Sequence, residues 1–135
     1  MKINPYLTFD GTCEQAMRFY AEALRGELGM LMRFRDSPGC EELPPDLIMH
    51  ARLNVGDEVL MASDNHPAFP YEGIKGCSIS LNVDSPEEAQ RVFDVLAGGG
   101  KVEMPLAETF WARSFGMLKD QFGVAWMINC AKPGF

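Results

Sequence analysis

A helical segment that opens at Thr12 is written a second time at Ser85. Thr12 and Gln15 correspond to Ser85 and Glu88, and Glu14, Ala16, Arg18 and Tyr20 to Glu87, Ala89, Arg91 and Phe93, each pair 73 positions apart (85 − 12, 93 − 20). Both copies begin with a hydroxyl residue followed three positions later by Glu or Gln, the capping-box signature of a helix start. Both then repeat apolar residues at i, i+3, i+4, i+7 and i+8: Ala16, Phe19, Tyr20, Ala23 and Leu24, then Ala89, Val92, Phe93, Leu96 and Ala97. That stripe belongs to an amphipathic helix lying on a core. A repeat this long, present twice, does not describe a solenoid. It predicts a duplicated half-domain whose copies pack together, with any site between them.

The segments around each helix follow the same order. Asn4–Phe9 reads as a strand, Thr12–Arg25 as the helix, and Glu27–Phe34 as a second strand. The proline- and glycine-bearing stretch Asp36–Asp46 is a loop. Leu47–Val55 and Glu58–Ser63 are strands joined at Gly56-Asp57, a hairpin signal. The second half predicts a strand at Cys77–Val83, a helix at Ser85–Ala97 with Pro86 in its first turn, and strands at Lys101–Met104, Thr109–Met117 and Val124–Cys130. His50-Ala51-Arg52 is echoed by Trp111-Ala112-Arg113 at an offset of 61, shortened by the loop difference. The expected organisation is one domain over 1–135: module one 1–64, linker 65–76, module two 77–135. A four-stranded sheet with one helix leaves a second face needing cover. Two such sheets, taken as antiparallel within each half, would shelter their free faces as a cup. Cys77–Val83 shows the two faces, with Ile79, Leu81 and Val83 alternating against Ser78, Ser80 and Asn82.

With 135 residues and 47% hydrophobic content, the chain is long enough for one substantial core. No apolar run approaches the ~20 residues of a membrane span, and residues 1–5 show no apolar signal region. Four dispersed cysteines (Cys13, Cys40, Cys77, Cys130) form no Cys-x-x-Cys pair and read as reduced thiols of a cytoplasmic protein. The net charge of −7 and the lack of a dense Lys/Arg patch argue against nucleic acid and anionic membranes.

Several long segments carry a family resemblance across nearly the whole chain: Pro5-Tyr6-Leu7-Thr8-Phe9-Asp10-Gly11, Phe19-Tyr20, His50-Ala51-Arg52-Leu53, Gly99-Gly100-Lys101-Val102, Phe110-Trp111-Ala112, and Asp120-Gln121-Phe122-Gly123-Val124-Ala125-Trp126-Met127. The chain resembles the PhnB-like group of the vicinal oxygen chelate superfamily (glyoxalase, bleomycin resistance and dioxygenase proteins), often labelled 3-demethylubiquinone 3-methyltransferase-like. The resemblance implies an α+β fold of two βαβββ modules, a curved, cup-shaped mixed sheet with helices outside, and a homodimer. It also implies a divalent metal held by His and Glu from the first and last strand of each half. Carried over, those positions fall near Pro5, Met61, Ser78 and Met127, and among their neighbours only Cys77 offers a suitable donor. No metal and no cofactor are therefore expected. The Gly98–Gly100 run leaves a helix, whereas an S-adenosylmethionine turn enters one, so methyl transfer is not expected either.

The expected ligand-binding residues are His50, Met61, Ser63, Ser78, Ser80, Trp111, Arg113, Met127 and Asn129. His50 is either a polar contact or general base in the cup, or a strand histidine satisfied by a neighbour. Trp111 and Arg113, two apart, either clamp a planar or anionic ligand or pack at a subunit interface. His66 reads as a solvated loop residue, and Trp126, Phe19, Tyr20 and Phe93 as core. Nine methionines suit an adaptable apolar surface. The leading expectation is a protein that binds a small apolar or aromatic molecule. A metal-assisted lyase, isomerase or transferase using His50 and Glu108 is the alternative.

Overall fold

The computed structural model describes all residues, Met1–Phe135. The chain divides into two units, 1–74 and 75–135. Unit 1 contains β1 (Tyr6–Phe9), α1 (Cys13–Ala23), β2 (Glu27–Arg33), a short 3-10 turn (Phe34–Asp36), β3 (Ile48–Val55) and β4 (Glu58–Asp64). Unit 2 contains β5 (Ser78–Asn82), α2 (Pro86–Ala97), β6 (Lys101–Ala107), β7 (Ala112–Lys119) and β8 (Ala125–Ala131). Each unit is the expected βαβββ module, with boundaries shifted by a few residues. The sheets have orders β1-β4-β3-β2 and β5-β8-β7-β6. They are mixed, because β1 runs parallel to β4 and β5 parallel to β8. The antiparallel reading of each half fails at this pair: the helix following the first strand acts as a crossover, and crossovers bring strands together in parallel. No helix is long and apolar enough to cross a membrane.

Each helix covers one sheet face. In α1 the buried residues are Cys13, Ala16, Met17, Tyr20 and Ala23. The stripe is thus turned toward Met17, leaving Phe19 and Leu24 half-buried. In α2 the predicted residues Ala89, Val92, Phe93 and Leu96 are buried. Gly116 of β7 admits this contact, since a Cβ there would lie 2.8 Å from the Phe93 ring. On the sheets, Leu7, Phe9, Ala51, Leu53, Leu60 and Ala62 complete core one, and Leu118, Trp126, Ile128 and Cys130 complete core two.

The helix starts differ between copies. Ser85 Oγ accepts from Glu88 N at 3.1 Å, as a capping box requires. Thr12 makes no side-chain cap. Asp64, only 4% exposed, supplies the negative charge at the head of α1: one oxygen accepts from Cys13 N (3.0 Å) and the other from Ile48 N (2.8 Å). A buried carboxylate that ties helix start and strand start together makes the Thr12 cap dispensable. In unit 2 the buried Asp120 carboxylate organises the β7–β8 turn instead, accepting from Phe122 N, Val124 N and Trp126 Nε1 at 2.8, 3.0 and 2.8 Å. The indole N–H of Trp126 is thereby satisfied in the core.

Arg33 of β2 reaches back to Glu14 of α1 at 2.8 Å, and Arg18 shares that carboxylate at 2.9 Å. These contacts, Arg33 first, hold the Glu14 carboxyl below the ordinary carboxylate range.

Burial, then the charges of Asp64 and Glu14, pushes the Cys13 thiol from near 9 up to about 12. The unfolded thiol ionises first as pH rises, so Cys13 contributes stability that is complete below pH 9 and fades toward pH 12. The slope approaches ~1.4 kcal/mol per pH unit. Urea denaturation at pH 8 and pH 10 should show Cys13→Ala losing less stability than the parent over that interval, by about 1–1.5 kcal/mol. Equal losses would contradict this account of Cys13.

Candidate functional site

Strand alternation sends every second side chain to the face that the helix does not cover. In unit 1, lateral pairing across that open face aligns Tyr6 (β1), Met61 (β4), Arg52 (β3) and Met30 (β2) in one row. Thr8 opposite Ser63, and His50 opposite Met32, stand one step along. Their exposure follows the alternation: Leu60, Ala62 and Asp64 are buried, while Met61 and Ser63 between them are partly open.

In unit 2 the matching row is Ser80 (β5), Met127 (β8), Met117 (β7) and Met104 (β6). Asn82, Asn129, Phe115 and Ala107 form the next. Of the expected site residues, Met61, Ser63 and His50 therefore share the open face of unit 1. Ser78, Ser80, Met127 and Asn129 share that of unit 2.

The rows also correct the internal alignment. Met61 and Met127 hold the same place in the two units, an offset of 66 (127 − 61). Arg52 then corresponds to Met117 and His50 to Phe115, an offset of 65 (117 − 52, 115 − 50). The Ala-Arg echo at 61 is a coincidence of sequence. Nor do Trp111 and Arg113 share a strand face: β7 begins at Ala112, and a register shift between Ala112 and Ser114 breaks the period of two. Arg113 donates to Asp84 O at 2.8 Å and lies 3.1 Å from Cys130 Sγ. Trp111 packs edge-on against Phe110 and Phe115, with ring centroids 4.9 and 5.2 Å away. Trp111 thus joins an aromatic wall beside the methionine row, while Arg113 braces the start of α2.

Two polar features stand out on these faces. Tyr6 Oη and His50 Nδ1 are 2.9 Å apart, with ring centroids at 5.6 Å. Their strands flank β4 on either side, so the pair bridges across it on the open face. In unit 2, Asn129 Nδ2 donates to Asn82 Oδ1 at 3.0 Å, while Asn129 Oδ1 is buried without a partner. A buried acceptor left unpaired costs about 1–3 kcal/mol, which an incoming N–H or O–H donor would recover. Tyr6, Arg52, Phe115 and Met117 were not among the expected site residues. Arg52 and Met117 could have been found by extending the period of two from His50 and Met127's neighbour strand.

A family model described as 3-demethylubiquinone-9 3-methyltransferase matches residues 1–129. The chain belongs to that family. Protein YjdN of Escherichia coli (strain K12) is 36% identical over 143 residues, covering 98% of this chain and 97% of YjdN. The crystal structure of PA1353 from Pseudomonas aeruginosa is 60% identical with a TM-score of 0.91, covering 97% of this chain and 98% of that one. A putative 3-demethylubiquinone-9 3-methyltransferase, the PhnB protein of Bacillus cereus, is 26% identical with a TM-score of 0.82, covering 97% and 100%. A glyoxylase/bleomycin resistance protein/dioxygenase domain from Frankia shares the fold at 15% identity, with a TM-score of 0.69 and coverage of 100% and 94%. The chain thus shares the fold of that glyoxylase/bleomycin resistance protein/dioxygenase domain.

The positions that the resemblance assigns to a divalent metal do not fit one here. The row partners of Met61 and Met127 on the first strands are Tyr6 and Ser80, which take the places expected near Pro5 and Ser78. Two thioethers, a phenol and a hydroxyl include no imidazole, carboxylate or thiolate. No three His, Cys, Asp or Glu side chains are grouped so as to hold a metal ion. Glu108 is paired with Lys132 at 3.0 Å, and His66 accepts from Ala68 N at 3.0 Å. The glycine run Gly98–Gly100 ends α2, with Gly98 as its C-cap and Gly99 at φ +73°.

Tyr6→Phe removes the phenol from His50 and should shift the His50 ring-nitrogen resonances in 15N NMR. Stability should change by less than about 0.5 kcal/mol, because the contact lies at the surface. An unchanged His50 spectrum would show that the pair is not formed in solution.

Proposed function

We propose that the chain binds a small apolar or aromatic molecule on the open sheet faces, without the divalent metal used elsewhere in the superfamily. The observation that carries this reading is the thioethers of Met61 and Met127 standing where the resemblance implies metal ligands. The methionine row Met104–Met117–Met127 lies beside Phe115 and Trp111, and Met30 and Met61 stand in the equivalent places of unit 1. Methionine is polarizable, conformationally adaptable and favourable against aromatic rings. Isolated polar groups (His50, Ser63, Ser78, Ser80, Asn129) would orient the ligand within this apolar surface. The methyl transfer in the family's name is not part of the proposal, since the common S-adenosylmethionine site needs a glycine-rich turn entering a helix. The protein is proposed to act as a homodimer in the cytoplasm, consistent with four free cysteines.

A thermal-shift screen against apolar and aromatic compounds should raise Tm by about 5–10 °C for a ligand at a hundred times its Kd. Protein purified without a histidine tag should contain no stoichiometric divalent metal. Absence of stabilisation by every compound would contradict the binding reading. A stoichiometric metal lost on His50→Ala would replace it with metal-assisted chemistry.

A further inference from the structure

We infer that the open face of unit 1 is an oxyanion site, in which Arg52 and the Tyr6–His50 pair receive the carboxylate of a small acid whose apolar body lies on Met30, Met32 and Met61. The inference rests on the small-molecule reading above and adds the ligand's charge class. The internal repeat isolates the feature. Where unit 2 places Ser80, Met117 and Phe115, unit 1 places Tyr6, Arg52 and His50. A cation and two hydrogen-bonding rings thus stand where the other copy is mainly apolar.

Arg52 has no structural task. It is exposed, and it forms none of the chain's ion pairs or side-chain hydrogen bonds. Arg18, Arg33, Arg35 and Arg91 all meet carboxylates. Arg25 is unpaired too, but it lies past the end of α1, whereas Arg52 stands on the open sheet face. Arg52 and His50 are two positions apart on β3, about 7 Å along one face. Tyr6 lies in the row of Arg52 with Met61 between them, and its hydroxyl meets His50 at 2.9 Å. The guanidinium fork matches a carboxylate through two parallel N–H···O bonds. With the Tyr6–His50 bond kept and the imidazole neutral, one hydrogen remains for the anion: the phenol O–H when Nδ1–H donates to Oη, or Nε2–H when the phenol donates to Nδ1.

The apolar part follows from the neighbours. Met30 pairs with Arg52, Met32 with His50, and Met61 with both Arg52 and Tyr6. Met30 is 42% exposed and Tyr6 48% exposed, so this surface is open to a ligand. One guanidinium on a chain of net charge −7 favours a monoanion over a dianion, which the wider field repels more strongly. The class is therefore a monocarboxylate on a flat or branched apolar body.

Isothermal titration with 2-naphthoate, its neutral amide and phenylphosphonate tests this. The acid should bind about tenfold or more tightly than the amide, and more tightly than the phosphonate at a pH where the latter is a dianion. Arg52→Met should remove that preference while leaving the amide's affinity and the melting temperature unchanged. Arg52→Lys, which keeps the charge but loses the fork, should fall between. Equal affinity for acid and amide, unaffected by Arg52→Met, would overturn the oxyanion site and leave the small-molecule reading standing. Binding of none of the probes would overturn the site, and the broader compound screen then decides the small-molecule reading separately. Tighter phosphonate binding would overturn the carboxylate assignment. If Arg52→Met instead shifts self-association in sedimentation with no effect on the acid, the face is an interface between copies and the inference fails.

Discussion

One helix per four-stranded sheet is the constraint on which the rest depends. A helix of 11 or 12 residues packs on one side of its sheet, and strand alternation commits every second side chain to the other. The covered side is a conventional core: Phe9, Met17, Tyr20 and Leu53 in one unit, Leu96, Leu118, Trp126 and Ile128 in the other. The open side has no partner within its own unit. What stands there is free of the demands of core packing and can be chosen for recognition.

The two copies keep the constraint and diverge in how they meet it. Unit 2 caps its helix locally through Ser85, while unit 1 draws on Asp64 at the end of β4. The place equivalent to Asp64 is Cys130 (64 + 66), which Arg113 ties to the chain just before α2. Both solutions fasten the last strand to the head of the helix, with chemistry that a sequence alignment would not equate. The open faces diverge in the same way: methionine and aromatic in unit 2, mixed with an unpaired cation and a Tyr–His pair in unit 1.

The module order was legible because it rests on local signals: the helix stripes, Pro86 at a first turn, and the hairpin at Gly56-Asp57. The parallel pairing of β1 with β4 was not, since pairing between distant strands leaves no mark in either strand. The open-face positions of Ser78 and Ser80 followed from strand parity, and those of Met61 and Met127 from the positions that the resemblance implies. Arg113 was misread because a bulge shifted the parity after Ala112, and bulges are set by the partner strand as much as by their own sequence. Tyr6 was overlooked because its partner His50 lies 44 positions away. Asp64 lies one residue past the expected strand Glu58–Ser63, yet its carboxylate organises two backbone segments far from it in sequence.

The methionine methyl groups report on both faces of the unit 1 sheet and on the open face of unit 2. In 13C methyl NMR, a bound aromatic ligand should shift open-face signals among Met30, Met32, Met61, Met104, Met117 and Met127 through ring currents. Met17, fully buried beneath α1, should stay unmoved. A ligand that shifts Met17 while leaving every open-face methionine in place would contradict the claim that recognition belongs to the side the helix leaves uncovered.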